Sequence, residues 1–249
     1  MKHIVPHGLA RHALFVAYLN QLIWKPPRTS RNIVIIGDTG TGKSTIAAGI
    51  AKGVDRQYEL KRNTFYDVDA FFNFFETEPP PGSAPIFDDL AAATDVRKWW
   101  DDFNRAISRT SQFGGSFRYV SIYLAPNLSG IIADIRSLAN FILMTESEVE
   151  YAGWYNVRRG IMSQNLSHPS IYFPYLSRKV IDANGNSMNV KFKGCYAPKM
   201  PDDEYRRYEE YKESFTRPAV KLMHKEAKAR RMRTKGVKHV DSERDIVYY

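Results

Sequence analysis

The chain predicts an α/β fold: a three-layer sandwich around a parallel five-stranded core sheet, with a small antiparallel extension and a C-terminal helix. Three observations carry this. Short, β-branched apolar segments alternate with helically periodic ones from residue 32 to residue 146, the pattern of βαβ units with helices on both faces of the sheet. One of those apolar runs ends in a glycine-rich turn and passes directly into a helix. Beyond residue 146 the segments become alternating and aromatic-rich, as strands do in an antiparallel extension.

Taken in order, GLARHALFVAYLNQLIW (8–24) has apolar residues at helical spacing, and the two prolines of KPPRTSR end it. NIVIIG (32–37) is the first buried strand and STIAAGIAKGV (44–54) the helix after it. A second strand is expected near 63–68, then the aromatic helix DAFFNFFE (69–76), a proline loop PPPGSAP (79–85) and the short strand PIFDD (85–89). A capped helix follows over 94–111, the fourth strand is FRYVSIYLAP (117–126), its crossover helix is SGIIADIRSLA (129–139), and NFILMTE (140–146) is the fifth strand. DANGN (182–186), between KVI and MNVKF, signals a hairpin turn. MPDDEYRRYEEYKESF (200–215) reads as a charged helix that the basic segment continues or frays from. The expected organisation is an N-terminal helix (1–30), a core (31–146), a β-rich extension (147–199) and a charged helix with a basic tail (200–249).

Composition excludes several classes. Hydrophobic residues make up 43 % and charged residues 25 % of the 249, values of an ordinary globular protein rather than a disordered one. Cys195 is the only cysteine, so neither an intrachain disulfide nor a cysteine zinc site is possible, and His3 and His7 alone do not make a metal site. No apolar run reaches membrane-spanning length and the N-terminus lacks an export signal, so a cytoplasmic protein with no membrane partner is expected.

GDTGTGKS (37–44) fits the phosphate-binding pattern G-x-x-x-x-G-K-[ST], with a strand before it and a helix after it. Its glycines allow successive backbone N–H groups to point at a β-phosphate, at the positive end of the following helix. Gly37, Asp38, Thr39, Gly40, Thr41, Gly42, Lys43, Ser44 and Thr45 form the expected nucleotide contact. Lys43 neutralises the β- and γ-phosphates and the Ser44 hydroxyl goes to Mg²⁺. Asp88, closing APIFD, is the carboxylate expected to complete the Mg²⁺ shell from the end of a neighbouring strand. Asp89 is the candidate to polarise the attacking water, its plainer reading being a helix cap. Asn127, past the fourth strand, is a candidate to orient that water or touch the γ-phosphate, its plainer reading being a turn residue. Arg136 is the first candidate for an arginine acting on a neighbouring subunit's nucleotide, with Arg105, Arg109 and Arg118 behind it. One strand and one helix between the loop strand and the Asp88 strand favour a sheet of the RecA or AAA+ type, with another strand between those two. The guanine-reading motif N-K-x-D is absent, which points to ATP.

With these motifs the chain resembles the small P-loop ATPases, often called DnaA-like, of spindle-shaped viruses of hot-spring archaea and related plasmids. The resemblance rests on GDTGTGKS, PIFDDLA, RKWWDDFNRAISR, YLAPNLSGIIADIR and YAPKMPDDEYRRYEEYKE, and covers most of 30–215. It implies a RecA- or AAA+-related P-loop core, ATP and Mg²⁺ as cofactors, Lys43, Ser44 and Asp88 at the nucleotide, and work in viral or plasmid DNA replication, partitioning or packaging.

From Arg217 to Lys238 nine Lys or Arg stand against the single acid Glu226, a net +8 beside the whole chain's +9. Lys221, Lys225, Lys228, Arg230, Arg231, Arg233, Lys235 and Lys238 are accordingly candidates for salt-sensitive, sequence-independent DNA binding. The reading is an ATP hydrolase of the P-loop class acting on DNA as a homo-oligomer, possible partners including a replication or capsid protein. The alternative is an ATP-switched binding module with little turnover. A small-nucleotide kinase is disfavoured because no arginine-rich lid stands out.

Overall fold

The computed structural model describes residues 4–26, 28–88, 117–127, 139–145, 154–159, 175–181 and 185–241. Two compact units divide the chain at Tyr205 and Arg206.

The first unit opens with α1 (Ile4–Trp24), whose Pro6 falls in the first turn, where a missing N–H costs nothing. β1 (Arg31–Ile36) leads through the glycine-rich loop into α2 (Lys43–Val54). Next come a short helix that the sequence did not announce, α3 (Leu60–Asn63), then β2 (Thr64–Phe65) and α4 (Val68–Glu76). Asp67 caps α4 by accepting from the Ala70 N–H at 2.9 Å. β3 (Ile86–Phe87), β4 (Val120–Ala125), β5 (Phe141–Thr145), β6 (Trp154–Arg159), β7 (Ser177–Ile181), β8 (Ser187–Lys191) and β9 (Cys195–Tyr196) complete it.

The parallel strands lie in the order β2-β3-β4-β1-β5, so β4 does separate the loop strand from the Asp88 strand. The sheet is larger than the five strands expected. β6 pairs antiparallel with β5, and β9 with β6, to make seven; β7 and β8 form a separate two-stranded sheet. A parallel edge strand leaves one row of backbone groups unpaired, and β6 uses the row on β5. The expected helices over 94–111 and 129–139 fall on segments outside the described residues, Ala139 apart.

Alternation along β1 explains the layering. Ile33 and Ile35 turn to one face, where α1 and α2 bring Phe15, Leu19, Ile46 and Ile50; Val34 and Ile36 turn to the other, where α4 brings Phe71 and Phe74. Phe71 meets the Phe87 and Tyr123 rings at centroid distances of 5.3 and 6.0 Å. No helix among the described residues is long and apolar enough to cross a membrane.

α5 (Asp202–Asp241) runs from the end of the first unit through the second. Asp202, Asp203 and Glu204 in its first turn complement the helix dipole. The basic segment therefore continues the helix to Asp241. Pro218 lies inside it and removes one N–H from the ladder.

Candidate functional site

All five parallel strands point their C-terminal ends at one edge of the sheet, and the loop after β1 lies there. Gly37, Gly40 and Gly42 have φ of 155°, 84° and 78°. Gly42, in the left-handed region, caps α2 and offers no side-chain oxygen to the first-turn N–H groups. At Gly37 any side chain is excluded sterically, because a Cβ would meet Thr145 Oγ1 at 1.6 Å.

Lys43, the first residue of α2, donates from Nζ to the carbonyls of Gly37 and Asp38, each at 2.7 Å. The ammonium is thereby held over the loop that the sequence assigns to phosphates. Thr41 and Thr45 are buried, whereas Asp38, Thr39 and Gly40 are exposed at the tip. The Ser44 hydroxyl donates to Asp88 Oδ2 at 3.1 Å. Asp88 follows β3, is 4 % exposed, and is tied to the sheet by its N–H donating to the Phe65 carbonyl at 2.9 Å. A helix residue and a carboxylate 44 positions later thus meet across the end of the intervening β4.

Asn127 is exposed and stands two residues past Ala125, which pairs with Ile36. It therefore follows the C-terminal end of β4, on the loop edge of the sheet. Arg118, by contrast, precedes β4 and lies at the opposite edge, its guanidinium 5.5 Å from the Trp24 ring centroid. Asp89, Arg105, Arg109 and Arg136 lie outside the described residues. Lys221, Lys225 and Lys228 are exposed on α5; Arg230, Arg231, Arg233, Lys235 and Lys238 fall on the same helix.

Thr145 is the site residue that sequence reading missed. Its Oγ1 lies 2.6 Å from Thr41 Oγ1 and 3.1 Å from the Ile36 carbonyl, while Thr41 Oγ1 lies 2.7 Å from the Asp38 carbonyl. Two hydroxyl protons serve these three contacts and bind the loop to the end of β5. Its only sequence signal was its place at the end of the fifth strand, legible once β5 is known to pair with β1.

The donor set suits Mg²⁺, which takes oxygen ligands, uses one or two carboxylates, and draws the rest from phosphates and water. One hydroxyl and one carboxylate 3.1 Å apart, beside a helix N-terminus, meet that description.

No family model matches the chain, and no curated protein matches it. Among solved structures it is similar to EssC (ATPases 2 and 3) from Geobacillus thermodenitrificans, at 13 % identity and a TM-score of 0.36. That alignment covers 75 % of this chain and 44 % of the other, so the chain spans less than half the length of EssC in that structure.

Proposed function

We propose that this chain is a Mg²⁺-dependent P-loop ATPase of the RecA and AAA+ kind, acting on DNA as an oligomer. The observation that carries the proposal is the meeting of Ser44 and Asp88 at 3.1 Å beside a Gly37–Ser44 loop that opens a helix. A glycine turn with an incidental lysine would not require a buried carboxylate from another strand to stand at that serine. The β4 strand between β1 and β3 further supports the RecA and AAA+ comparison.

On this reading the loop amides and the α2 N-terminus bind the β-phosphate. Lys43 leaves its loop carbonyls for the β- and γ-phosphate oxygens. Ser44 and Asp88 hold Mg²⁺, which when bound supplies charge neutralisation between the β- and γ-phosphates. Asn127, which follows the C-terminal end of β4, is assigned to orient the attacking water, and Asp89 to polarise it. Arg136 is assigned to a neighbouring subunit's nucleotide, which makes turnover depend on assembly.

The long basic helix supplies the DNA contact. At about 100° per residue, Arg217, Lys221, Lys225, Lys228, Arg231, Lys235 and Lys238 fall within an arc of roughly 140°, and the sole acid of that stretch, Glu226, falls on the far side. The resemblance to the archaeal-virus ATPases directs the work to replication, loading, translocation or packaging of viral or plasmid DNA.

The test is ATP hydrolysis with and without single- and double-stranded DNA, with particle mass followed by light scattering. DNA-stimulated turnover that Lys43→Ala abolishes is expected. Equal, slow hydrolysis by both proteins, with or without DNA, would sink the proposal.

A further inference from the structure

A second concentration of positive charge belongs to the first unit. Residues 151–199 hold seven Lys or Arg against one acid, Asp182, and residues 1–37, which supply α1, hold none. α1 packs against β7 and β9, so this flank of the first unit draws together segments almost free of carboxylates.

Tyr175 is the point where the cations gather. The Arg158 guanidinium lies 3.3 Å from its ring centroid, with Lys191 Nζ at 5.1 Å and Lys193 Nζ at 5.5 Å. The Arg11 guanidinium donates to the Lys193 carbonyl at 2.8 Å, adding a further cation nearby. Strand register explains the grouping. Ser177 pairs with Lys191 and Lys179 with Asn189, so alternation sets Lys179 and Lys191 on the Tyr175 face while Val180 and Val190 turn to the core, and Lys193, two residues past the end of β8, reaches the same ring. All three lysines are exposed, and among the described residues none of them forms a salt bridge. The one acid within residues 151–199 follows Ile181, which lies about 20 Å along the strand from Tyr175 at ~3.3 Å per residue.

Like charges gathered round one ring repel, and the attraction of each cation to a half-buried tyrosine ring is small. An anion bridging them removes that repulsion. The lysines are exposed, which suits an extended polyanion better than an enclosed small molecule. Lys191 closes β8 and the Lys193 N–H donates to its carbonyl at 2.9 Å, a tight turn that keeps the two lysines side by side.

We propose that the outer face of the β7–β8 hairpin, centred on Tyr175, grips the phosphate backbone of a DNA strand through Lys179, Lys191 and Lys193. This surface belongs to the first unit; its choice of DNA rests on the proposed action on DNA and not on the nucleotide site. Tyr175 acts as the organiser that keeps the cations together.

The test uses the full chain carrying Lys179→Gln, Lys191→Gln and Lys193→Gln, titrated against a single-stranded DNA of about 20 nucleotides, longer than one typical site. Each lost phosphate contact flattens the slope of log K against log salt by about 0.7. The triple variant is therefore expected to lose about 2 from that slope and roughly 100-fold in affinity at ~0.1 M salt. The triple Lys→Arg variant keeps both. In the wild-type protein, bound DNA protects Lys191 and Lys193 from acetylation, a readout that needs no variant to fold. Unchanged slope and affinity in the glutamine variant, or equal acetylation with and without DNA, would overturn the proposal.

Discussion

The loop edge of the sheet and the flank where α1 meets β6 and β9 are built from opposite materials. At the loop edge, most of the machinery is eight consecutive residues, Gly37 to Ser44, shaped by backbone conformation and held by polar contacts. On the flank, residues more than a hundred positions apart make one apolar wall. The Phe15 ring meets Phe141, Tyr155 and Phe192 at 5.6, 6.5 and 5.5 Å. His12 Nδ1 lies 2.7 Å from the Tyr155 hydroxyl. Burial keeps the Tyr155 phenol far above its ordinary range, and so protonated; it lowers the His12 pKa to about 4 and raises the Cys195 thiol to about 12. The lesson is that the buried ionisable groups of the flank are kept neutral for packing, whereas the loop edge is held by backbone geometry and polar contacts.

The contrast breaks most visibly at Phe15. Phe15→Ala empties a fully buried ring site on the flank and is expected to cost about 4 kcal/mol of folding stability, read from a denaturant midpoint, with the nucleotide contacts untouched in whatever remains folded. A loss below about 1 kcal/mol would show that α1 is dispensable to the core.

Lys43→Ala is the converse: at least about 100-fold less ATP turnover, or about 3 kcal/mol in the transition state, with a melting temperature near that of the wild type. Phosphate release measured beside a thermal melt separates the two effects.

Acid provides a third test. His12 has a folded-state pKa of about 4 against 6.5 when unfolded, so below pH 6.5 the unfolded chain takes up a proton that the folded one refuses. Stability is thus fully present above pH 6.5 and is lost as pH falls toward 4, by about 2 kcal/mol at pH 5 and about 3 kcal/mol at pH 4. Urea midpoints measured across this range should lose part of their pH dependence in His12→Gln; an identical slope in both proteins would refute the assignment.

The smallest effect belongs to Thr145→Val, which keeps the strand but removes the hydroxyl that ties the loop to β5. We expect about 1 kcal/mol of stability and a few-fold weaker ATP binding by calorimetry. No change in either would mean that the loop holds its shape without β5.

Legibility followed sequence distance. The loop, β1, α2, α4 and β4 could be read because each signal is local: a glycine spacing, a β-branched run, an aromatic stripe. Asp88 was legible because a phosphate loop requires a partner carboxylate and few strands end in one. Thr145, the placement of β6 and β9 in the central sheet, and the His12–Tyr155 pair were not, because nothing in those stretches says which strand lies beside which. The charge reading was incomplete for the same reason: Lys179, Lys191 and Lys193 are scattered in sequence and gather only when the hairpin closes near Tyr175.

By itself, then, the sequence determined the chemistry of the loop, since a run of glycines, a lysine and a serine acts through backbone geometry that neighbouring residues enforce on one another. The tertiary structure decided what completes and steadies that loop. Asp88 comes to Ser44 and Thr145 to Thr41 only through the strand order β3-β4-β1-β5, and that order is set by burying both faces of one sheet, a requirement of the whole chain that no single segment records.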